Sequence, residues 1–394
     1  MNILFYTPNE VSPEIGGTER TTTNVTSALT KYYGFKCYSM YSERIPDNYI
    51  RTKFVDTICL DNFSDVTTQE KLRKFIVKYQ IDILVNQGIF GLTKEFRKSV
   101  DGLCTKIILV HHFEPGGEIL FLRFKSVFNY PVRCISEVAK ICKSIVLYPF
   151  NRYMAPIRLR RAYKEGVNFS DKVVLLSRRF IPEFCRYAGI DNTVKMDAIN
   201  NALSFDMFYD VDKLSEKKHY VLIVSRLDES HKKISLALKV WRLIEKNTEL
   251  NGWNLKILGK GNDEMFYRKL VEKMQLKRVV FEGVKDPLPY YEEASLFMMT
   301  SVSEGWGLTL TEAQQMGCVP IAFDTYSSLY DIISNDENGI IVPWKNLEEY
   351  ANKMTALMIN EEYRMRIAKA SILSAHRFTQ ESIGRQWFNL LSKI

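Results

Sequence analysis

Thr300-Ser301-Val302-Ser303-Glu304-Gly305-Trp306-Gly307-Leu308-Thr309-Leu310-Thr311-Glu312-Ala313-Gln314-Gln315-Met316-Gly317-Cys318-Val319-Pro320 is the stretch that decides the fold. It follows Leu296-Phe297-Met298-Met299, an unbroken apolar run that reads as a buried strand. Two glycines then flank an aromatic, and the pattern predicts a short helix from Leu308 that stops at Gly317. Strand, glycine-containing loop and helix start together aim backbone N–H groups and a positive dipole end at an anion, typically a phosphate. Glu304 precedes this helix and Glu312 lies about one turn inside it. At about 1.5 Å per helical residue the two carboxylates are too far apart to share a proton. They can hold two ends of one elongated ligand, and a phosphate between two hydroxyl-binding carboxylates describes a nucleotide sugar. The plainer alternative is a solvated loop with two surface glutamates.

Working outward, strands alternate with helix-length segments on both sides of this stretch. Asn2–Thr7, Lys36–Tyr41, Phe54–Leu60, Asp82–Val85, Lys106–Val110 and Lys172–Leu176 read as strands in the first half. His219–Val224, Trp253–Leu258, Val279–Phe281, Leu296–Met299, Val319–Phe323 and Gly339–Val342 do so in the second. Such alternation predicts βαβ units and a mostly parallel sheet in each half. Lys195–Lys218, polar and then highly charged, reads as the linker between them. Two doubly wound domains place their default ligand site beyond the carboxyl ends of the strands, in the cleft between them.

The 394 residues agree with two domains, and 46% hydrophobic with 25% charged residues is ordinary for a soluble globular chain. Met1-Asn2-Ile3-Leu4-Phe5-Tyr6 runs straight into a strand pattern, so no signal peptide is expected, and no apolar run approaches the roughly 20 residues that span a bilayer. Seven cysteines without metal-type spacing favour reduced thiols and a cytoplasmic protein. The net charge of +8 is concentrated. Between Ile119 and Glu165, ten Lys and Arg face two Glu, an excess of eight that equals the whole chain's. Aromatic and aliphatic residues are interleaved with these charges, and the segment reads as a helical insertion. It is either a surface that meets anionic lipid at the inner face of the membrane or a solvated face over an ordinary core. No recognition motif accompanies the charge, so nucleic acid is disfavoured.

Several further positions sit at predicted strand ends. Gly16-Gly17-Thr18-Glu19-Arg20 lies between the first strand and first helix, but it lacks the G-x-G-x-x-G of dinucleotide binders. His111 and His112 follow a strand directly, and alternation puts one inward and the other outward. Arg226 stands at the tip of the second half's first strand with Lys232 just beyond, and the two cations can neutralise a diphosphate leaving group. Gly259-Lys260-Gly261 and Phe281-Glu282-Gly283-Val284 end the next two strands, where glycine lets the main chain approach a base or sugar. Asp210-Val211-Asp212 falls in the charged linker and reads as solvated rather than metal-binding. No metal site and no ATP-type phosphate loop is expected.

Taken in order, these pieces resemble the retaining glycosyltransferases of family 4. Glu304 and Glu312 match that family's E-x7-E signature, Gly16-Gly17 its N-terminal glycine loop, and Arg226-Leu227 with Lys232 its phosphate clamp. The resemblance implies a GT-B fold: two Rossmann-like domains facing a central cleft, with a C-terminal helix crossing back to the first. It places the first domain at 1–203 plus 378–394, with the basic insertion around 116–165, and the nucleotide-sugar domain at 204–377. It implies transfer of a hexose-type sugar from a UDP- or GDP-sugar to a hydroxyl with retention, without metal or cofactor. Glu304 and the main chain of Trp306, Gly307 and Leu308 would hold the sugar and its phosphate. Glu312 would hold the ribose, Val284 the base, Arg226 and Lys232 the diphosphate. Gly17 would admit the diphosphate, and His111 rather than His112 would contact the transferred sugar. A lipid-linked or cell-surface glycan is the implied acceptor. The alternatives are an epimerase or hydrolase of sugar nucleotides on this fold, or a non-catalytic scaffold that binds them. One departure stands out: Asp324-Thr325-Tyr326-Ser327-Ser328 replaces the glycine pair that many relatives carry after the strand following E-x7-E.

Overall fold

A computed structural model describes residues 1–120 and 135–394. The chain divides into two compact units, Met1–Asn200 with Ile383–Ile394, and Asn201–Ser382.

Unit 1 is built on seven strands: β1 Asn2–Asn9, β2 Lys36–Glu43, β3 Thr57–Cys59, β4 Ile83–Asn86, β5 Lys106–His111, β6 Lys172–Leu175 and β7 Met196–Ala198. Their order across the sheet is β3-β2-β1-β4-β5-β6-β7, and every ladder is parallel. Parallel sheets need helices on both faces, so their strands read as apolar runs without alternation. β4, Ile83-Leu84-Val85-Asn86, is buried at all of its positions. β7 lies where the sequence reads as linker. Met196 pairs with Val173 and Ala198 with Leu175, so three residues of mixed polarity are held by ladder bonds rather than by their own pattern. The C-terminal helix, Gln380–Leu391, joins this unit from Ile383 onward. There Phe388 stacks on Tyr33 at 4.4 Å, and Gly384 lies so close to Ala28 that a Cβ would come within 2.9 Å of it.

Unit 2 repeats the plan with six parallel strands: β8 Lys218–Val224, β9 Asn254–Leu258, β10 Val279–Gly283, β11 Ala294–Met299, β12 Val319–Asp324 and β13 Ile340–Pro343. The order is β10-β9-β8-β11-β12-β13. A core cluster running from Leu214 to Ile372, with Trp241, Tyr267 and Tyr350 fully buried, packs against one face of the sheet. In each unit the order reverses once, between β1 and β4 and between β8 and β11. Such a switch point opens a crevice at the carboxyl ends of the strands, because the flanking loops leave in opposite directions.

Candidate functional site

At the switch point of unit 2, β8 and β11 end side by side, with Val221 opposite Leu296 and Leu222 opposite Phe297. The loop after β8 bends back onto the loop after β11. Val302 N–H donates to the carbonyl of His231 at 2.8 Å, and the Thr300 hydroxyl donates to the carbonyls of Lys232 and Lys233 at 2.9 and 3.1 Å. These bonds fix Lys232 against Glu304, and the two side chains form a largely buried ion pair. Glu304 is only 16% exposed, so it is not a surface carboxylate. Neighbouring side chains hold the approach to this pair. The Asp228 carboxylate accepts from the amide and hydroxyl of Ser230 at 2.9 and 2.5 Å. Burial raises the pKa of Asp228, but the Ser230 bonds and nearby positive groups outweigh it and hold the carboxyl below the usual range. Arg226 reaches Asp228 at 3.2 Å and is mostly exposed. Lys233 takes up a left-handed φ of 49°, and Glu229 accepts from Ser235 to cap the next helix, Ile234–Ile244.

The helix predicted from Leu308 spans Leu308–Gln315, and Gly317 just beyond it has a φ of 68°. Gly307 is the residue that opens it, at φ 85° and with no side chain to cap the first amides. That left-handed turn favours glycine, and an uncapped helix start presents its N–H groups to whatever lies beyond it. Trp306 is buried, edge-on to Phe378 at 5.1 Å, and its indole N–H has no acceptor among the described residues. Glu312 is fully buried: it accepts from Ser204 at 2.6 Å and Tyr291 at 3.0 Å. The two carboxylates of the E-x7-E pattern therefore sit in different environments, one beside a cation and the other held by two hydroxyls.

The Asp324–Ser328 departure has a structural account. Thr325 donates to the carbonyl of Ser301 at 2.9 Å and Ser328 to that of Gly305 at 3.1 Å. Side-chain hydroxyls thus brace the Glu304 loop from behind, and nothing in the sequence pattern announces that task. The glycines after β9 also prove to be structural. A Cβ on Gly259 would lie 1.9 Å from the Ser225 carbonyl, and one on Gly261 would lie 2.2 Å from that of Leu227. Their role is to let the β8 and β9 loops touch, with Leu227 N–H bonded to the Lys260 carbonyl at 3.0 Å. Val284, next along, is 66% exposed. Asp210 caps a short helical turn through the Asp212 amide at 3.0 Å.

In unit 1, Gly17 is exposed and begins the helix Gly17–Tyr33 at the β1–β4 switch point; Gly16 precedes it with no side-chain cap. The histidines do not divide into one inward and one outward. His111 is fully buried among Phe90, Tyr163 and Phe184, and His112 is buried against Gln87. Burial pushes the His111 imidazole down to about 3 and that of His112 to about 4. The Tyr163 hydroxyl lies 3.3 Å from His111 Nε2, accepts from the Gly116 amide at 3.1 Å and donates toward the Glu118 carboxylate at 3.0 Å. Burial in turn raises the Glu118 carboxyl. The sequence pattern singles out neither Tyr163 nor Glu118. Their signal is weak, since one aromatic and one acid in a basic segment look like any others.

Residues 208–373 match a family model described as glycosyl transferases group 1, which falls within unit 2 and includes the whole Lys232–Glu304–Glu312 arrangement. An uncharacterized glycosyltransferase of Haemophilus influenzae is 25% identical over 388 residues, covering 95% of this chain and 96% of that protein. The amylovoran biosynthesis glycosyltransferase AmsD of Erwinia amylovora is 24% identical over 245 residues, 61% of this chain and 67% of that one. The crystal structure of Anabaena HepE in complex with UDP-glucose superposes with a TM-score of 0.72 over 100% of both chains, at 14% identity. The fold is GT-B. The two sheets are the two halves of a GT-B chain, and the family model covers the second of them.

Proposed function

We propose that this chain is a retaining glycosyltransferase that moves a hexose-type sugar from a nucleotide diphosphate donor to a hydroxyl of a cell-surface or lipid-linked glycan. The observation that carries this reading is the Lys232–Glu304 pair at the β8–β11 switch point, beside a helix start that no side chain caps. A diphosphate at that helix start would meet N–H donors and the positive dipole end. Lys232 and Arg226 would neutralise the charge that develops as the diphosphate departs. Glu304, freed in part from Lys232 by the incoming anion, would accept from the donor sugar's hydroxyls. Glu312 would act toward the ribose from its Ser204 and Tyr291 bonds, and Val284 would offer main-chain groups to the base. The main chain of Trp306 to Leu308 would line the phosphate. His111 would contact the transferred sugar only after its Tyr163 contact opens. The protein supplies position and charge, with the leaving phosphate itself taking the acceptor proton and no metal required.

The match of residues 208–373 to a transferase model supports the reaction class, and the amylovoran relative supports a surface polysaccharide as the acceptor class. A donor panel read by nucleotide diphosphate release tests the reading. Release from one UDP- or GDP-sugar that rises with added glycan acceptor, unchanged by a chelator, is the expected result. Release without any acceptor requirement would make the chain a hydrolase or epimerase, and nucleotide binding without turnover would make it a scaffold.

A further inference from the structure

The helix Ile135–Phe169 behaves as two different surfaces along its length. Its final turns dock on unit 1. Leu159, Tyr163 and Val167 are buried, and Gly166 approaches Phe90 and Leu109 so closely that a Cβ would come within 2.6 and 2.7 Å of them. The middle of the helix turns its apolar side outward. Val146, Phe150, Tyr153 and Ile157 are 77%, 55%, 73% and 49% exposed. At about 100° per residue, their spacing places all four within a stripe roughly 60° wide. Lys143 precedes this stripe and Arg161 and Lys164 come after it on the same side, all exposed. Arg152, Arg158 and Arg160 are exposed as well. Arg161 pairs with Glu165 at 2.9 Å.

A helix on an ordinary domain turns its apolar stripe inward, so four large side chains in a row facing water mark an interaction surface. The flanking charge selects the partner. A second copy of the chain would bring two basic flanks together, which like-charge repulsion disfavours. An anionic bilayer meets both features, since apolar side chains enter the headgroup boundary while Lys and Arg reach the phosphates. We propose that the face Val146–Phe150–Tyr153–Ile157, with its basic flanks, docks this protein on an anionic lipid bilayer. The helix lies along the interface rather than through it. Among the described residues, no helix is long and apolar enough to cross a membrane.

Sedimentation of the full chain with vesicles tests this. Vesicles of about 30% phosphatidylglycerol in phosphatidylcholine are compared with phosphatidylcholine alone, at low and at high salt, where screening separates the charge contribution. The expected result is pelleting on anionic vesicles at low salt that weakens as salt rises. Each basic residue near the surface contributes about fivefold, so Lys143→Glu with Lys164→Glu should weaken binding by more than about tenfold. Phe150→Ser with Tyr153→Ser should lower it by a similar factor, and unchanged circular dichroism would show that the variants fold. The proposal is overturned if the wild type stays in the supernatant with anionic vesicles, or binds neutral ones equally. It is also overturned if both double variants pellet like wild type. A wild-type dimer in light scattering that Phe150→Ser with Tyr153→Ser dissolves would instead make a second copy the occupant. Pelleting is read without turnover, so this surface and the transferase reading fail separately.

Discussion

β5 ends on a side chain expected to meet substrate, β11 runs into a loop that carries another, and the two side chains end in opposite states. Glu304 lies beside a cation, next to an uncapped helix start. His111 is closed in by the rings of Phe90, Tyr163 and Phe184, with the Tyr163 hydroxyl 3.3 Å from its Nε2. The difference comes from the segment that each strand leads into. After β11 the chain turns within eight residues into a short helix through a left-handed glycine, and the loop's one large side chain, Trp306, is buried against Phe378. After β5 it passes Phe113 and Glu118 before the long helix that delivers Tyr163. Bonds between two loops hold the Lys232–Glu304 pair in place, whereas aromatic side chains seal His111.

The contrast can be broken by mutation. Glu304→Ala and Lys232→Ala should each lower turnover by about 10²–10³ once a donor is in hand. Because the two side chains are paired, the double variant should lose less than the product of the single losses. Near wild-type turnover in both singles would remove this end of unit 2 from the chemistry. His111→Ala, by comparison, should lower thermal stability before it lowers turnover, since its ring is packing first.

The histidine side of the comparison has a pH signature. In the unfolded chain both imidazoles titrate near pH 6.5, whereas burial depresses them to about 3 and about 4 in the folded state. The stability gained by keeping them neutral is complete above about pH 6.5 and is lost as pH falls toward 4. At pH 5 each imidazole should have cost about 2 kcal/mol relative to neutral pH. Thermal melts between pH 7.5 and 5 should show a fall of several degrees that a His111→Phe/His112→Gln variant flattens. A melting temperature that ignores pH in this range would mean the rings are not sealed in solution.

The smallest expected effect sharpens the Glu304 side. Thr325→Val and Ser328→Ala each remove one hydroxyl bond to the loop, worth about 1 kcal/mol. Chemical denaturation should register that loss, and turnover should fall several-fold, less than for Glu304→Ala. Full retention of turnover in the pair of variants would show that the loop holds its shape without this brace.

How much of this is legible in the sequence depends on the physics of each feature. The strands and the Leu308 helix announce themselves through apolar runs and glycine punctuation, because parallel sheets buried on both faces leave no other pattern. β7 does not, since a three-residue edge strand is specified by its ladder with β6 and not by its own residues. Lys232 and Glu304 can be named singly, but their pairing depends on Thr300 and Val302 folding one loop onto another, a tertiary fact. The burial of both histidines is invisible for the same reason. For His111 it is imposed by Tyr163, more than fifty residues downstream. In sequence, Gly259 and Gly261 read as room for a ligand, and the space they leave is taken by neighbouring carbonyls.

Those two glycines also bear on how this protein could be re-engineered or could diverge. A side chain at either position would run into main chain that cannot move aside, so the tip of β9 is closed to variation. Lys260 between them and the exposed Val284 beyond β10 face no such obstacle. A library meant to change what unit 2 accepts would waste its members at 259 and 261. Positions 260 and 284, both exposed, have room for it.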